Sequence, residues 1–230
     1  MRDEAALRCY RYNKRLKKAS GMYIPPHFHE TEQSEITSII EGAPLACIVA
    51  QTLQGLVANH VPLLAAPDGT LIGHVALANE MHDLIPDGQE VLTIFRGSDA
   101  YVSPNFYPSK AQHHRHVPTW NYQVVHVHGN IRFQHDTQSK RAAVGLLTRV
   151  HERRVNGKSA WRMADAPEDY MAQMLDGIVA FKINVSRVLA KSKLSQNRAD
   201  VDYQGAISGL RTTGHEALAE RMEQRLNKPD

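Results

Sequence analysis

Residues Val117 to Gly129 read VPTWNYQVVHVHG, and this stretch predicts a strand. Its second half alternates valine with histidine, which is the period-two pattern of a half-buried strand. Its first half brings Thr119, Trp120 and Asn121 to the strand entrance, directly after a proline-fixed bend. Such an entrance can hold a flat ring with polar edges; the alternative is that the indole simply packs the strand end.

Short β-rich segments lie on both sides of that strand. Asp68-Gly69 is a hairpin signal between two of them, whereas Gly97-Ser98 separates two others. Short spacing and mostly turn-type links favour a closed or half-closed antiparallel barrel over a parallel sheet. The predicted strands are 46–51, 55–64, 70–75, 90–96, 100–103, 120–134 with a bend at Gly129, and 178–188.

Helical segments flank these strands, so the expected fold class is mainly β with flanking helices (α+β). Ile36, Ile39 and Ile40 recur at helical spacing. Asp136 is a typical N-terminal cap, and Gly177 is a typical stop. The predicted helices are 30–41, a segment from the Asp136 cap to about 152, 167–177 and a C-terminal helical tail that runs to 226.

Positive charge is concentrated at the N-terminus. Seven of the 27 Lys and Arg but only two of the 24 Asp and Glu lie in residues 1–21, which leaves 20 basic and 22 acidic residues in 22–230. We therefore expect a basic N-terminal extension over 1–21, either solvated or touching nucleic acid non-specifically. A single domain is expected over 22–230. Met22 opens the more structured run MYIPPHF and is an alternative start.

Several classes of protein lack their signatures in this sequence. No apolar run reaches the roughly 20 residues of a membrane helix, and no secretory signal pattern opens the chain. Cys9 and Cys47 lie far apart in dissimilar settings, which disfavours a disulfide and favours a cytoplasmic location. Motifs of serine hydrolases, phosphate-binding loops and zinc proteases are missing. No convincing helix-turn-helix is found either.

Thirteen histidines raise a metal or haem hypothesis. His113, His114 and His116 form a dense cluster, but they fall in a predicted loop, where solvated histidines are common. His126 and His128 share one strand face at period two and are interpreted as half-buried strand residues. Because a metal site needs three or four converging ligands, no metal site is predicted, and a histidine-ligated haem remains a minority alternative.

Six motifs in a fixed order resemble one family. They are MYIPPHF (22–28), GHVALAN (73–79), YVSPNFYPSK (101–110), VPTWNY (117–122), KLSQNR (193–198) and GAISGLR (205–211). From Met22 to about Met222 the chain is similar to the PaiB-type, FMN-binding negative transcriptional regulators, and the combination of VPTWNY with KLSQNR is specific. The resemblance implies an FMN-binding split barrel, a homodimer with FMN near the subunit interface, and repression of genes for sporulation and degradative enzymes.

The resemblance also implies cofactor-binding residues, and it implies no catalytic residue. His60 and Pro62 would belong to the strand beneath the flavin, and Gly73, His74 and Asn79 to the turn at the ribityl phosphate. A loop would contribute the hydroxyl of Ser103 and the cation of Lys110, and an arm that returns to the site or to the partner subunit would contribute Lys193, Gln196, Asn197 and Arg198. The wall beside the ring would consist of Val117, Pro118, Thr119, Trp120 and Asn121. Their chemistry suits a flavin, which needs a ring wall, polar groups at the pyrimidine edge and a cation for the phosphate.

The sequence departs from the family pattern at three positions. Leu77 stands where the family commonly has arginine, and Phe106 and Ser192 stand where tryptophan is usual. The missing arginine removes one expected cation from the phosphate end. Lys110 is therefore expected to provide more of the phosphate binding.

Three functions stay open at this point. The first is a regulatory flavoprotein whose FMN, or its redox state, changes how the protein meets a promoter or a partner regulator. The second is an NAD(P)H:flavin reductase, since split barrels often pass a hydride between nicotinamide and flavin. The third is a haem- or ligand-binding module. The slightly negative body disfavours tight DNA binding on its own, so repression would need residues 1–21 or a partner to supply the basic contact.

Overall fold

Seven strands and seven α-helices form the part of the chain, residues 21–226, that this computed structural model describes. The strands are β1 (Leu45–Thr52), β2 (Gly55–Pro62), β3 (Leu64–Ala65), β4 (Thr70–Ala76), β5 (Glu90–Val102), β6 (Thr119–Gln134) and β7 (Ile178–Lys193). The helices are α1 (Gln33–Gly42), α2 (Met81–Leu84), α3 (Lys110–His113), α4 (Thr137–Asn156), α5 (Glu168–Asp176), α6 (Asp200–Thr212) and α7 (Glu216–Leu226). Within 21–226, no helix has the length and apolar character that crossing a bilayer requires.

All seven strands belong to one sheet, in the order β2-β1-β5-β6-β7-β4-β3. The two edge strands, β2 and β3, are separated along the chain by Leu63 alone. In a flat sheet of seven strands the two edges would lie about 29 Å apart, which one residue cannot bridge. The sheet therefore curls round until its edges approach, and the predicted antiparallel barrel is confirmed.

The chain forms two compact units that alternate along the sequence. The first contains residues 40–95 and 126–188, and the second contains residues 21–39, 96–125 and 189–226. Each of β5, β6 and β7 contributes residues to both units. The single domain expected over 22–230 stays a prediction, and the basic extension lies outside the described residues except for Gly21.

Close packing inside the first unit explains one glycine of the GHVALAN motif. Gly73 on β4 pairs in register with Phe181 on β7. A Cβ atom added at Gly73 would lie 2.6 Å from Leu63 Cδ2 and 2.7 Å from Phe181 Cζ. Only glycine allows these two side chains to fill the space, so packing alone is a sufficient reason for glycine at this position.

The second unit has a core built on α6 and α7, and two glycines of α6 shape its surface. A Cβ atom added at Gly205 would lie 2.2 Å from the Phe106 carbonyl oxygen, and one added at Gly209 would lie 2.3 Å from the Phe106 ring. We call Gly205 and Gly209 the glycine seat, because the segment Phe106–Pro108 rests on it. The buried core residues include Tyr107, Leu194, Tyr203, Ala206, Ile207, Leu210, Leu218 and Met222.

The predicted division of β5 and the predicted start of the first helix are wrong. Gly97-Ser98 does not divide two strands, since β5 runs straight through it. A Cβ atom added at Gly97 would lie 3.3 Å from Gln123 Cβ, so this glycine admits a close neighbour rather than turning the chain. Helix α1 begins at Gln33 rather than at Glu30, because the Glu30 carboxylate accepts the backbone N–H of Glu32 at 3.1 Å and thereby closes a turn ahead of the helix.

The helix signals of the middle of the chain are confirmed. The Asp136 side chain accepts the backbone N–H of Ser139 at 2.9 Å and caps α4, which continues past the predicted end to Asn156. Helix α5 starts directly after Pro167 and is closed by Gly177. The last strand, β7, extends beyond the predicted 188 to Lys193, so the start of the KLSQNR motif belongs to a strand.

Candidate functional site

Three cations gather in the second unit where β7 ends. Lys191 and Lys193 lie two residues apart on β7, so their side chains leave the same face of the strand, and Arg198 follows in the next turn. Lys191 is buried, and the other two are half-buried. Burial, and then the positive charges of Lys191 and Arg198, lower the pKa of Lys193 below its ordinary value of 10.5. We call these three residues the cation cluster.

Neutral oxygens hold the two lysines of the cation cluster. Lys193 Nζ donates to Thr119 Oγ1 at 2.6 Å and to the Trp120 carbonyl oxygen. Lys191 Nζ donates to the Tyr23 carbonyl oxygen at 3.0 Å and lies 5.4 Å from the centroid of the Tyr23 ring. Like charges that are brought together out of water repel each other, so the cluster is suited to receive an anion.

Ser109, His116 and Asp202 form a buried polar network beside Arg198. Ser109 Oγ donates to Asp202 Oδ2 at 2.7 Å and lies 2.7 Å from His116 Nε2. The backbone N–H of Ser109 donates to Asp202 Oδ1 at 3.0 Å, and Arg198 Nη1 lies 3.3 Å from His116 Nδ1. The network fastens the segment around α3 to the first turn of α6. The interpretation of His116 as a solvated loop residue is wrong, because its side chain is only 6% exposed.

This network is not arranged for nucleophilic catalysis. A nucleophilic serine gives its proton to a histidine, whose other ring nitrogen is held by the acid. Here the Ser109 hydroxyl donates to Asp202, and Asp202 Oδ2 lies 3.4 Å from the same nitrogen, His116 Nε2, that Ser109 contacts. Burial raises the pKa of Asp202, but hydrogen bonds from Ser109 and the charges of His116 and Arg198 outweigh it, so the pKa lies below its ordinary value. The network is a structural anchor for the loop.

The hydroxyl and the cation predicted in the loop after β5 both make local contacts. Ser103 Oγ accepts the backbone N–H of Asn105 at 3.2 Å and caps the short 3-10 turn Pro104–Phe106. Lys110 Nζ, at the start of α3, donates to Asn105 Oδ1 at 2.5 Å. An ammonium group has three donors, so Lys110 keeps two for another acceptor.

Thr119 and Trp120 of the VPTWNY motif, which are expected at a flavin ring, contact Lys193. Trp120 is 53% exposed, and its indole meets the exposed Tyr101 ring edge-on, with the centroids 6.0 Å apart. Val117 and Pro118, which precede it, are exposed as well. Lys193 contacts this motif through the Thr119 hydroxyl and the Trp120 carbonyl oxygen, not through the indole.

Asn121 and Gln196 make contacts that face inward. Asn121 is fully buried; its Nδ2 donates to Ser195 Oγ at 2.9 Å, and Ser195 Oγ donates in turn to Asn121 Oδ1 at 3.1 Å. Gln196 Oε1 accepts the backbone N–H of Leu194 at 2.7 Å. A contact of Asn121 with a flavin would have to displace the Ser195 pair, whereas Asn197 is exposed.

Five predicted contacts lie in the first unit: His60, Pro62, Gly73, His74 and Asn79. His60 and Pro62 are exposed on the outer face of β2. Asn79 Nδ2 donates to an Asn59 amide oxygen at 3.1 Å, and its Oδ1 accepts the first N–H of α2. Burial lowers the pKa of His74, whose Nδ1 has no hydrogen-bond partner within the described chain.

The strand histidines are half-buried, as predicted. His128 ring nitrogens lie 3.0 Å from Arg187 Nη2, and Nδ1 lies 3.7 Å from a Glu90 carboxylate oxygen. Burial, and then the charge of His128, lower the pKa of His126. Within residues 21–226, no three or more His, Cys, Asp and Glu side chains come together as a metal site would require.

A family model described as "Putative FMN-binding domain" matches residues 22–187. The chain belongs to this FMN-binding family. FMN is thus the cofactor of the domain, and the resemblance found in the six motifs is confirmed.

Relatives of this FMN-binding chain match almost all of its length. "Protease synthase and sporulation protein PAI 2" of Bacillus subtilis (strain 168) is 31% identical over 213 residues, which are 90% of this chain and 99% of the relative. An uncharacterized protein of Emericella nidulans is 28% identical over 233 residues, covering 85% of this chain and 93% of the relative.

Solved structures of other proteins share the fold of this chain. The "FAD and Heme binding protein" from Mycobacterium smegmatis superposes with a TM-score of 0.55 at 15% identity, covering 76% of this chain and 78% of the other. The "Flavocytochrome Anf3" from Azotobacter vinelandii gives a TM-score of 0.53 at 14% identity, covering 77% and 75%. At these identities the likeness concerns the fold alone.

Sequence reasoning missed Ser109, Lys191 and Asp202, which shape the second unit, and it assigned His116 to a solvated loop. A signal existed for one of them, because the spacing Lys-x-Lys at 191 and 193 places two ammonium groups on one face of a strand. The Ser109–Asp202 bond joins positions 93 residues apart. No local sequence pattern predicts such a contact.

Proposed function

We propose that this chain is an FMN-binding negative regulator of transcription that acts as a cytoplasmic homodimer. The observation that carries the proposal is the 31% identity, over 99% of the relative's length, to a Bacillus subtilis protein named for protease synthesis and sporulation. A match over nearly the whole of both chains means that the regions outside the barrel correspond as well. A likeness confined to the flavin domain would support FMN binding alone.

The cation cluster fits the phosphate end of FMN. Lys193 and Arg198 would hold the phosphate, and Lys110 would add a third cation from the loop. The buried Tyr107 hydroxyl has no hydrogen-bond partner within residues 21–226, and its ring lies 4.9 Å from the Arg198 guanidinium carbon. Charge-assisted hydrogen bonds from Lys193 and Arg198 to a phosphate would be about twice as strong as bonds between neutral groups.

The exposed indole of Trp120 fits the flat ring of FMN. Stacking on an aromatic wall excludes water from one face of the isoalloxazine and orients it. When bound, FMN supplies reversible redox chemistry at this ring. The chain's own contribution would be to hold the ring at Trp120 and the phosphate at Lys193, whose ammonium bonds the backbone carbonyl oxygen of Trp120.

FMN would then regulate transcription by changing how well the loop 103–118 is ordered. The Ser109–His116–Asp202 network and the glycine seat fix one side of this loop on α6. FMN on Lys110, Trp120 and the cation cluster would fix the other side. An ordered loop presents a different surface to a promoter or a partner regulator than one without its cofactor, which is a route from FMN to transcription.

Transcript profiling of the source organism tests the regulatory role. A strain without this gene should show raised levels of a defined set of transcripts. The unchanged gene should restore them, and a gene encoding Lys193→Ala should not. Unchanged transcript levels in the deletion strain would contradict repression. Steady oxidation of NAD(P)H by the purified protein with added FMN would favour the reductase alternative instead.

A further inference from the structure

A pocket of about 760 Å³ lies in the first unit, between the second half of α4 and the loop that follows it. This volume is within the range of roughly 300–1,000 Å³ that is usual for small-molecule sites. None of the residues that line it belongs to the FMN motifs described above. The pocket therefore needs an explanation of its own.

Positive charge surrounds the pocket. Its lining includes Arg149, Arg153, Lys158 and Arg162 but no carboxylate. Arg162 Nη2 is partly neutralised by Asp165 at 2.9 Å. Cations in the last turn of a helix suit its dipole, which explains Arg153 on α4; however, Lys158 and Arg162 lie beyond the end of the helix, so the dipole does not account for them.

The wall and floor of the pocket are apolar. Trp161 is 41% exposed and lines the pocket together with Met163. Gly145 stands in the middle of α4, where glycine costs about 1 kcal/mol relative to alanine. A Cβ atom added there would lie 3.4 Å from Met163 Sδ, so the missing side chain leaves room in front of the thioether.

Hydrogen bonds fix the loop that carries Trp161. Glu152 Oε2 accepts the backbone N–H of Trp161 at 3.0 Å and Asn156 Nδ2 at 2.7 Å. The backbone N–H of Arg162 donates to Asp165 Oδ2 at 2.9 Å. The wall of the pocket is therefore formed before any ligand arrives, which lowers the entropy cost of binding.

We propose that this pocket binds a small aromatic anion, with the ring against Trp161 and the anionic group among Arg149, Arg153 and Lys158. The ring requirement comes from the apolar wall, and the charge requirement comes from Arg149, Arg153 and Lys158, since no carboxylate is among the lining residues. Aromatic rings stack on indole, and arginine pairs with phosphate or carboxylate oxygens in a planar fork. A ligand that lacks either the ring or the charge would leave half of the site unused.

Isothermal titration calorimetry on the full chain in the presence of saturating FMN tests this site. The probes are 1-naphthyl phosphate, 1-naphthol and inorganic phosphate, which separate the ring from the charge. We expect 1-naphthyl phosphate to bind at least tenfold more tightly than either of the other two. Equal affinity for inorganic phosphate would reduce the site to an adventitious anion patch and would overturn the proposal, and so would equal affinity for 1-naphthol.

Variants then locate the binding. Arg149→Gln combined with Arg153→Gln should weaken 1-naphthyl phosphate about tenfold and leave 1-naphthol within twofold, and Trp161→Ala should weaken both. Arg141→Gln, an exposed arginine earlier on α4, is the matched control and should change neither. The same loss in the control, or no loss in the double variant, would contradict the assignment. FMN affinity is measured in parallel and should be unchanged, which separates this site from the proposed FMN site.

Discussion

At the scale of single residues, the chemistry of the second unit centres on Lys193. The KLSQNR motif predicts Lys193 and Arg198 as flavin contacts through the family resemblance, but it does not include Lys191. A lone lysine in a strand is usually solvated, whereas Lys191 donates to the Tyr23 carbonyl oxygen, 168 positions away along the chain, and lies 5.1 Å from the centroid of the Tyr122 ring. Long-range contacts of this kind decide which of several cations share one site.

The first prediction removes the Lys193 ammonium. If it binds the FMN phosphate, Lys193→Ala should weaken FMN by about 1.5–3 kcal/mol, or roughly ten- to a hundredfold, because a charge-assisted hydrogen bond is lost. Quenching of FMN fluorescence on titration measures this. Lys182→Ala removes the same charge earlier on β7 and is the control, which should bind within twofold of the unchanged chain.

The pKa of Lys193 sets the pH range of binding. If the phosphate binds the charged ammonium, FMN affinity should be full while Lys193 is protonated and should decline as the pH rises through its pKa. Since burial and the neighbouring cations lower that pKa from 10.5, the decline should begin at a lower pH than for an ordinary lysine. FMN titrations between neutral and alkaline pH measure it. Lys193→Arg, whose side chain stays protonated, should remove the decline, and an unchanged decline in that variant would assign it to another group.

At the scale of elements, the loop after β5 and helix α6 form one structural piece. Gly205 and Gly209 are four residues apart and face the same neighbour, Phe106. The sequence alone gives no physical reason for the glycines of the GAISGLR motif, which is recognised only through its family resemblance. The structure supplies that reason. The continuity of β5 could not be predicted, because glycine at position 97 has the same local signature in a turn as in a close strand contact.

The glycine seat predicts a coupled loss of stability and FMN binding. Gly205→Ala forces a methyl group against the backbone oxygen of Phe106, so it should lower the free energy of unfolding by about 1–3 kcal/mol and displace the loop that carries Lys110. Urea unfolding and FMN titration measure the two effects. Ser208→Ala, on the exposed face of α6, should change neither by more than the error of the measurement. Full FMN affinity in Gly205→Ala would mean that the position of this loop does not affect FMN binding, which would contradict the prediction.

At the scale of the whole molecule, composition alone would suggest a nucleic-acid-binding protein, whereas the distribution of charge does not. The chain carries a formal net charge of +3, but seven of its basic residues lie in 1–21. The fold class and the family could be predicted from strand spacing and motif order, because both are properties of long stretches. The pocket beside Trp161 could not be predicted, since Arg149 and Arg153 resemble an ordinary solvated helix end, and Lys158 and Arg162 join them only when the loop folds back onto α4.

The charge distribution predicts how the chain meets DNA. If it represses directly, the full chain should shift promoter DNA in a gel at low salt, and a chain shortened to residues 22–230 should lose most of that affinity. Phosphate contacts by lysine and arginine dominate non-specific binding, so the loss should shrink as salt is raised. Tight binding by the shortened chain alone would contradict this assignment of the basic contact to residues 1–21.

The most direct test is the flavin content of the purified protein after incubation with FMN and removal of the excess. We expect about one FMN per chain, with an absorbance band at roughly 450 nm, and we expect this band to be lost from both Lys193→Ala and Trp120→Ala. Full retention of FMN by both variants would move the site elsewhere. No flavin on the unchanged chain would contradict FMN binding itself.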